Sequence, residues 1–91
     1  MDLYRFIVLG KVQHVYYRKF VAQASAKKQI RGYVRNLPDG SVEAVAELMD
    51  DDLDDFIQLL RDGSPLSVVE DIKYEQIDLS DLTYDGFEIR Y

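Results

Sequence analysis

The chain has no cysteine and only one histidine, His14, among its 91 residues. Without cysteine it has no disulfide, no thiolate nucleophile and no cysteine metal ligand, which is consistent with a reducing compartment, and a lone histidine argues against a zinc site. The opening stretch MDLYRFIVLG is interrupted by Arg5 and lacks the long apolar core of a signal peptide. No stretch approaches the roughly 20 apolar residues of a membrane span. We therefore predict a cytoplasmic protein without a zinc site or membrane association.

Acidic residues are missing from one long stretch of the sequence. Residues 3–38 contain no Asp or Glu, although the whole chain has 17 acids and a net charge of −6. The overall acidity argues against nucleic acid as the main partner. The basic stretch predicts either a surface that meets an anion or a basic helix face that pairs with acids elsewhere in the fold. Its cations are Arg5, Lys11, Arg18, Lys19, Lys27, Lys28, Arg31 and Arg35.

Hydrophobic periodicity predicts the element order β-α-β-β-α-β, followed by a short C-terminal strand. This order is typical of the ferredoxin-like α/β sandwich, an α+β fold in which two helices cover one face of an antiparallel sheet. The length and the 47% hydrophobic content predict one domain, residues 1–91, and we expect a monomer. The predicted strands are 3–9, 33–37, 41–48, 68–77 and 87–91, and the predicted helices are 17–30 and 51–61.

The predicted topology brings two distant parts of the sequence to one end of the sheet. If the first strand runs up and the first helix runs down, the second strand runs up again, and Asn36 ends beside the Gly10–Arg18 loop. Backbone N–H groups at a helix start have no partner within the helix and can hold an anion. Arg18 lies in that first turn, where the helix dipole disfavours a cation unless an anion lies between them.

The residue types at this end suit phosphate and water. Arg18 carries a fork of donors matched to phosphate oxygens, and Asn36 offers an acceptor and two donors that could orient a water molecule. Each residue alone also has a simpler interpretation, Arg18 as a solvated helix residue and Asn36 as a turn residue. The sequence has no Ser-His-Asp set, no Walker loop and no carboxylate in residues 3–38, so a covalent or metal-assisted mechanism has little to use.

Two segments resemble the signatures of the acylphosphatase family. Residues 10–18, GKVQHVYYR, are similar to G-x-V-Q-G-V-x-F-R, and residues 32–42, GYVRNLPDGSV, are similar to G-[WFY]-[VA]-x-N-x-x-x-G-x-V. Further similarity lies in Gly63-Ser64-Pro65 and in the closing residues FEIRY. The resemblance covers essentially the whole chain.

The resemblance implies an enzyme that hydrolyses the carboxyl-phosphate bond of acyl phosphates to carboxylate and phosphate, without metal or cofactor. Asn36 would position the attacking water, and the substrate phosphate would accept the proton of that water. The substrate would be a small molecule, with no nucleic-acid partner. The phosphate would be bound by the Arg18 side chain and by backbone N–H groups of Gln13, His14, Val15, Tyr16, Tyr17 and Arg18.

Three positions depart from the family pattern. Tyr17 replaces Phe, Leu48 stands where a Gly is common, and His14 replaces the Gly of Q-G-V. If that glycine has a positive φ, a side chain costs roughly 1–2 kcal/mol of backbone strain, although histidine tolerates positive φ better than most residues. Three roles remain open for His14: a tolerated spacer, a contributor to ligand binding, or a change that disables the site.

The last of these roles implies a different class of protein. The chain would then be a catalytically silent phosphate- or anion-binding or regulatory module, since this fold hosts many unrelated functions. An RNA-binding domain has the same element order, but it would need exposed stacking aromatics and usually a basic surface.

Overall fold

The computed structural model describes residues 1–78 and 84–91, and its elements follow the predicted order. A single 3-10 turn, Asp50–Asp52, precedes the second helix. In the described part of the chain, neither helix has the length and apolar content needed to cross a membrane. The strands are β1 (Asp2–Lys11), β2 (Gly32–Asn36), β3 (Val42–Leu48), β4 (Val68–Ile77) and β5 (Phe87–Arg90), and the helices are α1 (Tyr17–Lys27) and α2 (Leu53–Asp62).

The five strands form one sheet in the order β4-β1-β3-β2-β5. The first four strands pair antiparallel, with Val8 opposite Val42 in the β1–β3 ladder. β5 pairs parallel with β2, with Val34 opposite Ile89, so the complete sheet is mixed. The predicted ferredoxin-like α+β class is confirmed, and the parallel fifth strand extends it at the β2 edge.

The core lies between the sheet and the two helices. Alternate strand residues such as Phe6 and Val34 meet Val21 of α1 and Phe56 of α2 in one buried cluster. The rings of Phe6 and Phe56 are 5.1 Å apart between centroids. Because apolar burial is the main favourable contribution to folding, this layer fixes both helices on the same face of the sheet.

Helix α1 ends at Lys27, three residues earlier than predicted. The N–H of Ile30 donates to Ser25 O and that of Gln29 donates to Ala26 O, which is the Schellman pattern of helix termination. Gln29 takes the left-handed conformation there, with φ 60°. Glycine and asparagine are the usual residues at that position, so Gln29 gave no recognisable stop signal.

Strand β1 runs past Gly10 to Lys11, two residues further than predicted. The ladder with β4 is irregular between Leu9 and Gly10, and Gly10 has φ 130°. A Cβ on Gly10 would lie 2.1 Å from Val68 O, so only glycine permits this close approach of the two strands. Gly10 therefore forms a bulge in β1 just before the loop to α1.

Candidate active site

The loop between β1 and α1 contains two left-handed residues. His14 has φ 61° and Tyr16 has φ 62°. Left-handed residues interspersed in a loop build concave nests of backbone N–H groups that bind anions. His14 therefore occupies a backbone conformation that glycine adopts without strain, and the positive φ considered at this position is present.

The backbone donors of this loop face no internal acceptor. The first hydrogen bond of α1 runs from Phe20 N–H to Tyr16 O, and neither a capping side chain nor an acid occupies its first turn. Among the described residues, the backbone N–H groups of residues 14–19 have no acceptor. Those of residues 17–19, in the first turn of α1, carry the positive end of the helix dipole, an arrangement that suits the binding of an anion.

Gln13 ties the loop to the β2–β3 hairpin. Its Nε2 donates to Leu37 O at 2.7 Å and to Ser41 O at 2.8 Å. Both carbonyls lie in the turn that follows Asn36, where the N–H of Leu37 also donates to Ser41 O. This side chain joins the two segments that the sequence predicted to meet.

Two further hydrogen bonds hold the loop from the α2 side. The hydroxyl of Ser64 donates to Val15 O at 2.6 Å, and the hydroxyl of Tyr17 donates to Leu60 O at 2.7 Å. Both side chains are buried, and burial raises the pKa of Tyr17 well above its ordinary value, so its hydroxyl stays a donor. The extra hydroxyl that distinguishes Tyr17 from Phe thus has a partner.

A cleft of about 830 Å³ opens beside the loop and brings the predicted site residues together. His14, Tyr16, Arg18 and Asn36 all line it. The side chains of Gln13 and Val15 do not: Gln13 reaches the hairpin and Val15 packs in the core. The remaining lining residues are Val12, Tyr17, Lys19, Ala22, Gln23, Ala26, Phe87, Ile89 and Tyr91.

The end of β5 holds the side chain of Arg18. Its Nη1 donates to Arg90 O at 3.0 Å, and its guanidinium carbon lies 4.7 Å from the centroid of the Tyr91 ring. Its other N–H groups have no partner among the described residues and remain able to bind an anion. This contact was not predictable from the sequence, because the similarity in FEIRY does not reveal which strand β5 pairs with.

Asn36 stands at the end of β2 with an unusual side-chain environment. Its Oδ1 is enclosed and has no hydrogen-bond partner among the described residues. An unsatisfied buried acceptor costs about 1–3 kcal/mol, and such groups in native proteins commonly have a functional role.

The ionisable groups lining the cleft favour an anion. Arg18, Lys19 and His14 lie at the loop end, and no Asp or Glu side chain belongs to the described lining. Two other cations of the basic stretch, Arg5 and Arg35, pair instead with Glu43. These two arginines lie on β1 and β2, so their pairing with an acid occurs on the sheet and not on the helix face that the second alternative named. The described residues contain no group of three or more His, Asp or Glu side chains placed to hold a metal ion.

Comparisons with known proteins identify the family. The family model named Acylphosphatase matches residues 4–89. The acylphosphatase of Methanocella arvoryzae is 42% identical over 84 residues, which cover 92% of this chain and 93% of the relative. The acylphosphatase of Bacillus licheniformis is 41% identical over 85 residues, covering 93% and 90%.

Solved structures give the same result for the fold. The crystal structure of the acylphosphatase from Bacillus subtilis superposes with a TM-score of 0.88 at 38% identity and covers 100% of both chains. That of an acylphosphatase from Coxiella burnetii has a TM-score of 0.85 at 32% identity and covers 98% of this chain and 92% of its own. With its loop, its cleft and these relatives in agreement, the chain belongs to the acylphosphatase family.

Proposed function

We propose that this chain hydrolyses acyl phosphates to a carboxylate and inorganic phosphate. The observation that carries the proposal is the meeting of unpartnered loop N–H groups, Arg18 and Asn36 in one cation-lined cleft. Hydrogen-bond donors fixed before the substrate arrives stabilise the charge that develops on the transferred phosphoryl group.

The phosphate end of the substrate binds in the loop. Backbone N–H groups of residues 13–18 and the guanidinium of Arg18 donate to its oxygens, and the contact of Arg18 with Tyr91 keeps that group at the cleft. Asn36 holds a water molecule by hydrogen bonds to its side-chain amide. This positioning makes attack on phosphorus effectively intramolecular, which lowers the entropic part of the barrier.

The bond changes require no general acid. The water oxygen attacks phosphorus, the bond between phosphorus and the carboxyl oxygen breaks, and that electron pair leaves with the carboxylate. A carboxylate with an ordinary pKa near 4 leaves without being protonated at neutral pH. The proton of the water passes to a phosphoryl oxygen of the substrate, so the cation-lined loop end of the cleft needs no basic side chain.

The test is release of phosphate from benzoyl phosphate by the purified protein. We expect hydrolysis well above the buffer rate, and a loss of about 10²–10³-fold in kcat/KM for Arg18→Ala, since one preorganised donor contributes about that much. Arg18→Lys keeps the charge but loses the fork, so it should recover only part of the rate. Lys28→Ala, which removes an exposed cation outside the cleft lining, is the matched control and should keep the full rate.

Asn36→Ala separates chemistry from folding. The variant loses the amide that holds the water. Its kcat/KM should therefore fall about as much as that of Arg18→Ala, mainly through a lower kcat. It also removes the unsatisfied Oδ1, so its free energy of unfolding should stay equal or rise by about 1 kcal/mol. Unaltered protein that binds inorganic phosphate yet releases none from benzoyl phosphate would be a silent anion-binding module, and the proposal would be wrong.

We further propose that residues 1–91 act as one domain and as a monomer. The loop, Arg18 and Asn36 all come from one copy of the chain, and the radius of gyration of 11.8 Å matches the roughly 12 Å typical of one compact domain of this length. Light scattering should therefore give a mass of 10.6 kDa. The cytoplasmic location and the absence of a nucleic-acid partner stay predictions from the sequence.

A further inference from the structure

The cleft continues along α1 beyond the cation-lined end. Arg18, Ala22 and Ala26 line it at four-residue spacing, which places them on one face of the helix. Arg18 and Ala26 are eight residues apart, so this row extends about 12 Å along the helix axis. Alanine side chains are small, so this wall of the cleft leaves space between the helix and the sheet.

A second row of side chains lies along β5 and faces the first. Tyr91, Ile89 and Phe87 line the cleft at two-residue spacing, which places them on one face of the strand. Gly32 pairs with Phe87 in the parallel ladder, so this row descends from the level of Asn36 towards the start of β2. Tyr91 meets Arg18 at the upper end. The two rows therefore run side by side away from the phosphate loop.

The chemistry of the lining changes along these rows. The upper end has Arg18, Lys19 and the N–H groups of the loop, whereas the lower part has alanines, Ile89 and Phe87. Among the described lining residues, the lower part has one polar side chain, Gln23, and its amide is uncharged. A volume of about 830 Å³ lies within the usual range for small-molecule sites, and a phosphoryl group at the loop would fill only the upper end.

We propose that this lower part, the acyl groove formed by Ala22, Ala26, Ile89 and Phe87, binds the acyl group of the substrate and selects extended apolar acyl chains. The inference rests on the proposed function, because a phosphate held at the loop fixes where the rest of the molecule begins. The groove is continuous with that loop. Its lining gives an acyl chain an apolar surface to pack against and contains no charged side chain. A carboxylate at the far end of an acyl group would lose water there without gaining an ion pair.

The first experiment measures kcat/KM for acetyl, butyryl and hexanoyl phosphate on the unaltered protein. Burial of each added methylene should raise kcat/KM by about two- to fourfold. Pentanoyl phosphate should be preferred over succinyl phosphate, which has a similar length but ends in a carboxylate. Equal values along the series, or a preference for succinyl phosphate, would overturn the groove and leave the proposed function standing. Hydrolysis of none of these compounds would overturn both.

The second experiment locates the groove. Ala26→Phe places a ring between the two rows, so the ratio of kcat/KM for hexanoyl over acetyl phosphate should fall towards one. Lys27→Phe adds the same ring to the next, exposed position outside the lining and should leave that ratio unchanged. A ratio that Ala26→Phe does not alter would show that the chain binds elsewhere. If Ala26→Phe does not fold, the chain-length series decides.

Discussion

His14 combines an exposed side chain with a left-handed backbone. At φ 61° its Cβ is strained relative to glycine, and the imidazole makes no hydrogen bond among the described residues. The strain costs about 1 kcal/mol, but glycine has more freedom in the unfolded chain, which offsets part of what its introduction would gain. His14 lines the cleft, so its ring as well as its backbone N–H is placed to affect a ligand there.

Replacing His14 by glycine should change stability little and turnover little. We expect the free energy of unfolding in urea to rise by at most about 1 kcal/mol. The kcat/KM for benzoyl phosphate should stay within a few-fold. His14→Ala keeps the Cβ and removes the ring, so the pair of variants separates backbone strain from the imidazole. A large gain of rate in both would show that the ring obstructs the loop, and a large loss in both would show that it helps to bind phosphate.

The sequence predicted that Arg18 and Asn36 meet at one end of the sheet, and both line the cleft there. That meeting was predictable because the motif spacing and the topology both place them at one sheet edge. The sequence did not reveal the partners of Arg5 and Arg35, two other cations of the basic stretch, which both contact Glu43. That pairing depends on the register of β1 and β2 against β3, which the composition of the basic stretch does not encode.

Among the elements, the connection between α2 and β4 packs against the loop between β1 and α1 and supports it. Gly63 ends α2 with φ 49°, and a Cβ there would lie 2.7 Å from the Tyr17 ring. The next residue, Ser64, is buried and donates to Val15 O. These contacts make the Gly63-Ser64 pair a support for the loop rather than a surface turn.

Ser64→Ala should therefore loosen the loop as well as lower stability. Without the hydroxyl, Val15 O loses its partner in a buried position, which costs about 1–3 kcal/mol in urea unfolding. The inhibition constant of inorganic phosphate should rise, because the N–H groups of the loop are held less firmly. Ser25→Ala is the matched control: the Ser25 hydroxyl is buried without a partner among the described residues, so its removal should not destabilise the protein. A stability loss for Ser64→Ala with unchanged phosphate binding would limit Ser64 to a role in folding.

The element boundaries show where sequence patterns stop being informative. The apolar stripe of α2 and the alternation in β3 predicted their elements well, because their periodicity is strong and local. The end of α1 was not predictable, because it depends on Gln29, an uncommon left-handed residue. The parallel pairing of β5 was not predictable either, because its partner β2 lies far away along the chain. The proposed acyl groove was not predictable for a related reason: Ala22 and Ala26 are ordinary helix residues in the sequence, and only the structure places them opposite β5.

At the scale of the whole molecule, the two faces of the sheet carry different features. The helix-covered face carries the core and the cleft, while the other face carries an ion cluster around Glu43. The Glu43 carboxylate accepts from Arg5 Nε at 2.5 Å and from Arg35 Nε at 2.7 Å, and its side chain is only 3% exposed. Burial alone would raise the pKa of Glu43, but the hydrogen bonds from Arg5 and Arg35 outweigh burial and hold it below its ordinary value. The cluster joins β1, β2 and β3 on the side that the helices leave uncovered.

Because its pKa is lower in the folded protein, Glu43 should stabilise the fold in a pH-dependent way. Its contribution is complete above the ordinary glutamate pKa of about 4.3 and declines as the pH falls towards the folded value, since the unfolded chain then binds the proton first. Glu43→Gln should cost about 1–3 kcal/mol at pH 7, the contribution of hydrogen bonds to a charged group, because both arginines are partly exposed and regain water. In urea titrations from pH 7 to pH 3, the difference in free energy of unfolding between Glu43→Gln and the unaltered protein should shrink below pH 4, where a protonated Glu43 resembles glutamine.

The control is Glu70→Gln, which removes an exposed carboxylate that has no ion pair in the described chain. Its free energy of unfolding should match that of the unaltered protein at every pH. If the stability lost in Glu43→Gln stays constant down to pH 3, the effect comes from packing and not from charge.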